Sequence, residues 1–90
     1  MIITRPYEAE DNEINKEMFN IIMNYLKKNN INPEEIQIYG YCVSAICGNE
    51  KYIISKAEGC RAKTHMARNY FYMQIEKEGK RKRIKKEDWL

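Results

Sequence analysis

The sequence predicts an α+β domain, with a long N-terminal helix packed on an antiparallel sheet of two hairpins in the order α-β-β-α-β-β. Three observations predict it: apolar residues at helical spacing between Asp11 and Lys28, β-branched and aromatic runs over 36–57 and 69–84, and turn residues between those runs. A chain of 90 residues buries only a little over ~60% of its unfolded surface, enough for one core and not two. Residues 1–90 are therefore expected to fold as a single domain, with 43% hydrophobic residues to fill it.

Residues 1–4 (Met-Ile-Ile-Thr) are apolar and β-branched and stop at Arg5-Pro6. Proline has no N–H for a ladder, so this reads as a short edge strand. From Asp11 to Lys28 the period changes, and Ile14, Met18, Phe19, Ile22, Tyr25 and Leu26 recur three and four apart. Glu8, Glu10, Asp11 and Glu13 suit the positive N-terminus of that helix, and Lys27 and Lys28 its negative end. Asn29-Asn30 and then Pro33 end it. Ile14, Met18, Ile22 and Leu26 form the core face; Phe19 and Met23 flank it, and one of them is a candidate contact in a homo-oligomer.

Ile36 to Cys47 reads as one strand, with Ile36, Ile38, Cys42 and Ile46 on one face and Tyr39, Tyr41, Val43 and Ala45 on the other. A strand apolar on both faces belongs mid-sheet. Gly48-Asn49-Glu50 supplies a turn, and Lys51 to Ala57 is its antiparallel partner. After Glu58-Gly59, residues 60–68 carry good helix formers without alternation and are expected to form a short helix. From Asn69 to Glu76, Phe71, Met73 and Ile75 alternate with Tyr70, Tyr72 and Gln74. A turn over 76–79 and Lys80 to Ile84 complete a second hairpin, and Lys85 to Leu90 form a terminal helical turn that packs Trp89.

The net charge of +3 conceals a division. Residues 1–50 hold eight acids against four bases, a balance of −4; residues 51–90 hold five acids against twelve bases, a balance of +7. Such asymmetry favours anionic partners. Lys77, Lys80, Arg81, Lys82, Arg83, Lys85 and Lys86 fall within ten residues, beside Tyr70 and Tyr72. Cations next to aromatic faces suit stacking combined with phosphate contact, although lysines on an edge strand also guard a sheet against edge pairing. Arg61, Lys63, His65 and Arg68 make a second basic cluster, which would hold an anion if a helix begins after Gly59. The expected ligand-binding set is thus Arg61, Lys63, His65, Arg68, Tyr70, Tyr72, Lys80, Arg81 and Arg83.

Catalytic and metal signatures are weak. Cys42, Cys47, Cys60 and His65 have a spacing superficially like a four-ligand zinc site. Five residues along a strand, however, put Cys42 and Cys47 on opposite faces. On a regular helix Cys60 and His65 would lie about 140° apart around the cylinder, too far round to act as a nucleophile and its base. No phosphate loop, hydrolase elbow, zinc-protease or dinucleotide motif occurs. No catalysis, metal or other cofactor is expected.

Three cysteines fit a reducing compartment better than a disulfide framework. No apolar run reaches the ~20 residues a bilayer span needs, and the first residues lack a signal-peptide pattern, so a cytoplasmic location without membrane contact is expected. Thirteen Ile, eleven Lys and nine Asn, all with A/T-rich codons, suggest a low-GC bacterial, archaeal or viral genome. Small size and missing catalytic motifs suit a non-catalytic protein of a phage or mobile element. It would inhibit or sequester an anionic target: a host defence protein, a nucleic acid-binding complex or a nucleotide. Direct nucleic acid binding through the basic hairpin is the alternative. A small enzyme or zinc protein using Cys60 and His65 is the third reading.

Overall fold

The computed structural model describes residues 1–57 and 70–89. Among the described residues six strands form one sheet in sequence order: β1 (Ile2–Thr4), β2 (Glu35–Ile38), β3 (Cys42–Cys47), β4 (Glu50–Lys56), β5 (Phe71–Lys77) and β6 (Lys80–Ile84). The first pair is parallel and the others are antiparallel. Helix α1 (Glu13–Lys28) makes the crossover from β1 to β2 and covers one face. The mixed α+β class matches the expectation, and the edge strand read at residues 1–4 is β1, whereas the order α-β-β-α-β-β is not matched: among the described residues one α-helix lies between β1 and five further strands. The short helix expected over 60–68 lies outside the described residues.

Helix α1 forms where the periodicity placed it, and both ends are closed by asparagine. Asn12 is the N-cap: its Oδ1 accepts from the Asn15 N–H at 2.7 Å, and Asn15 Oδ1 accepts from the Asn12 N–H at 2.9 Å. This is a capping box with Asn in both positions. At the other end Asn30 takes a left-handed φ of 57°. The N–H groups of Asn30 and Ile31 then bond the Lys27 and Leu26 carbonyls, a Schellman closure.

The core lies between α1 and the sheet. Ile14, Met18, Ile21, Ile22 and Leu26 of the helix meet Ile36, Ile38, Val43, Ala45, Tyr52, Ile54, Phe71 and Met73 of the strands. Phe19 and Met23 are partly buried and pack against the same cluster. Trp89 follows a 3-10 turn at Lys86–Asp88 and is buried in this core, as the terminal turn was expected to achieve.

The segment 36–47 requires a correction, because it is two strands and not one. The Tyr39 N–H donates to the Cys42 carbonyl at 2.8 Å, closing a tight turn over Gly40-Tyr41. The turn resets the alternation, so Ile36, Ile38, Val43 and Ala45 share the helix side and Cys42, Ser44 and Ile46 lie opposite. The two later turns match expectation. Gly48, with φ 62°, opens the β3–β4 turn, and Glu78-Gly79, with φ 55° and 76°, form the β5–β6 turn. Among the described residues no helix is long and apolar enough to cross a membrane.

Candidate anion-binding edge

β6 is the last strand of the sheet and carries four cations in five residues. Strand alternation divides them between faces. Arg81 and Arg83 stand across from Glu76 and Gln74 on the side away from α1; Lys80 and Lys82 are on the helix side, with Ile84. The expected set Lys80, Arg81 and Arg83 is therefore not one cluster. Arg81 and Arg83, about 6.6 Å apart along an extended strand, are the two that share a face with Tyr72.

Each arginine has a defined neighbour. The Arg83 guanidinium carbon lies 4.5 Å from the centre of the Tyr72 ring, a cation–π geometry that holds a flat donor group over an aromatic face. Arg81 Nε donates to Glu76 Oε1 at 2.9 Å. That hydrogen bond holds the Glu76 carboxyl below its ordinary value and raises the guanidinium correspondingly. Arg81 is exposed and Glu76 half-buried, so solvent screening leaves the pair weak. Lys77, at 3.8 Å from Glu50, is drawn toward the helix side. Tyr70, just before β5, is exposed, and its carbonyl accepts from the Ala57 N–H at 2.8 Å.

Toward the middle of this face the surface changes character. Ser44 and Ile53 are only 2% and 4% exposed, ringed by half-buried Gln37, Cys42, Ser55 and Gln74. Of the cations on this face, Arg81 and Arg83 stand at the β5–β6 margin, and Lys51 of β4, across from Glu76, is half-buried. Among the described residues, cavities of about 370, 400 and 390 Å³ lie elsewhere, one between β1 and α1, one at the C-terminal end of α1 and one beside Asn12 and Tyr41. None of the three is lined by Arg81 or Arg83.

Cys42 and Cys47 lie on opposite sides of β3, as their spacing implies. Ser55 Oγ contacts Cys42 Sγ at 3.6 Å on the face away from α1, and Cys47 packs against the core. Burial, with the Glu50 and Glu34 carboxylates nearby, pushes the Cys47 thiol up and keeps it neutral. Among the described residues no group of three His, Cys, Asp or Glu side chains converges to hold a metal. Cys60, Arg61, Lys63, His65 and Arg68 lie outside the described residues.

Two features escaped the sequence reading. Glu76 faces Arg81 across the two-residue turn, a pairing the spacing already contains. Lys56 places its ammonium 4.7 Å from the Tyr41 ring centre, which no local pattern announces because Tyr41 sits in the unrecognised turn. No protein-family model, curated protein or solved structure matches the chain.

Proposed function

We propose that this is a non-catalytic binding protein that captures an anionic target along the β5–β6 margin. The observation that carries the reading is the alignment of Arg81 and Arg83 on one exposed face of an edge strand, with Arg83 stacked on Tyr72. Two guanidinium groups on a rigid strand offer preset donors to carboxylate or phosphate, and a hairpin loses little entropy on docking. An extended edge fits a polymeric partner, an acidic protein surface or a polynucleotide. Small size and A/T-biased composition favour a phage or mobile-element protein that inhibits or sequesters its target.

Direct capture of single-stranded nucleic acid is the second reading, and the Tyr72–Arg83 pair favours it. A base can stack on the ring or the guanidinium while Arg81 meets the backbone.

Fluorescence anisotropy with two labelled probes tests both readings: a deoxythymidine oligonucleotide of about 20 nucleotides, longer than a typical single site, and a glutamate-rich peptide of similar charge. Both readings expect binding at low salt that is lost in Arg81→Glu/Arg83→Glu, a variant whose unfolding midpoint stays near that of the parent. Equal affinity for the probes supports general anion capture. Preference for the oligonucleotide, reduced about tenfold by Tyr72→Ala as expected for one lost stack, supports the second reading. Failure to bind either probe, or unchanged binding in the double variant, removes the β5–β6 margin as the site.

A further inference from the structure

Among the described residues β1 and β6 are the outer strands of the sheet, and the two edges differ in charge and in apolar exposure. β1 presents Ile2 and Ile3 at 64% and 49% exposure. The Ile2 N–H donates to the Glu34 carbonyl, just before β2, so the alternation of a parallel ladder leaves the Ile3 N–H and C=O facing outward. Residues 1–13, together with Glu34 and Glu35 beside β1, contain six acids (Glu8, Glu10, Asp11, Glu13, Glu34 and Glu35) and one base, Arg5; Arg5 pairs with Asp11 at 2.7 Å, Glu34 turns to the Gly48 N–H, and Glu35 accepts from the Thr4 hydroxyl of β1. At the other edge, residues 77–86 contain seven bases and one acid, Glu78.

Three edge pairings between copies are open to such a sheet, and charge separates them. Joining β1 to β1 brings acids against acids; joining β6 to β6 brings Lys and Arg against Lys and Arg. Only β6 against β1 brings opposite charges together. The strand directions agree, since β2 to β6 alternate and β1 runs with β2, which makes β6 parallel to β1. A second copy moved across the sheet without reversal can therefore add its β6 beside β1 as a parallel strand. The lysines that guard β6 against its own kind become attractive beside an acidic neighbour.

We propose that the chain associates head to tail with itself, the β6 edge of one copy adding to the β1 edge of the next. The contact is heterologous, so each assembly keeps one unpaired β1 edge and one unpaired β6 edge, and growth continues unless the rotation closes a ring. With three residues in β1 the association is weak, concentration-dependent and reduced by salt.

Complementation between two disabled copies tests this contact directly. Ile3→Pro removes the outward N–H of β1 without touching the β1–β2 ladder and leaves β6 intact. Lys80→Glu/Lys82→Glu reverses charge on the helix side of β6, leaves Arg81, Arg83 and Tyr72 in place, and keeps β1 intact. Circular dichroism and cooperative unfolding verify each fold, and Ile3→Lys replaces the proline variant if that one fails to fold. In sedimentation velocity at low salt, the parent is expected to show a mass that rises with concentration. Each variant alone should remain a monomer, and an equimolar mixture should form a 1:1 pair that grows no further. A monomeric parent at every concentration would overturn the proposal. So would a mixture that stays monomeric, or association that survives in either variant alone.

Discussion

Asn15 illustrates how a single residue fixes the relation between the helix and the sheet. It is 1% exposed on an otherwise apolar face, and every polar atom it carries is used. Besides the capping box, its Nδ2 donates to the Glu10 carbonyl at 2.8 Å and the Tyr39 carbonyl at 3.1 Å. Asn12 Nδ2 reaches the Gly40 carbonyl at 3.0 Å, so the start of α1 is tied to the β2–β3 turn at two points. Replacing Asn15 by alanine would leave the Asn12 N–H and the Glu10 and Tyr39 carbonyls, all part-buried, without their side-chain partner, at a cost of roughly 2–4 kcal/mol. Asn20→Ala, at an exposed site on the same helix, should stay within about 0.5 kcal/mol of the parent. Urea unfolding of the two variants compares them, and equal midpoints would contradict the structural role given to Asn15. Nothing in the sequence marks Asn15 as buried, because its partners at Glu10 and Tyr39 belong to separate segments. Met18 and Ile22, two turns of the same face, were legible from period alone.

At the scale of elements, turns were readable where their backbone demands a special residue and invisible where it does not. Gly48 and Gly79 both adopt positive φ, and each ended a run of strand formers in the sequence. Gly40 has no such requirement, and the tyrosines on either side are good strand residues, so two strands merged into one in the reading. The parallel pairing of β1 with β2 was hidden for another reason: it depends on α1 returning the chain to the first strand, which no local pattern encodes. Glu78 tests the turn argument. It holds φ at 55° without being glycine or asparagine, and asparagine is strongly favoured before glycine in such a turn. Glu78→Asn is expected to stabilise the protein by about 0.5–1 kcal/mol, seen as a higher thermal midpoint. A lower midpoint would mean that the Glu78 side chain supports the hairpin in a way its backbone angle does not reveal.

For the whole molecule, the charge division between the halves of the chain was plain in composition, and strand order turns it into a division between the edges of one sheet. The alternation of Arg81 and Arg83 with Lys80 and Lys82 was also written in the sequence. What could not be read was which pair shares a face with Tyr72, since that depends on the β5–β6 register. The register narrows the candidate site from a run of seven cations to two arginines and a tyrosine. It also sets the size of the electrostatic signal, because each phosphate neutralised on a single strand contributes about −0.7 to the slope of log affinity against log salt concentration. The most direct measurement is the affinity of the unmodified protein for the deoxythymidine oligonucleotide across a salt series. Two arginines engaging two phosphates predict a slope of about −1.4; a flat line, or no binding at the lowest salt, would contradict the anion-capturing edge.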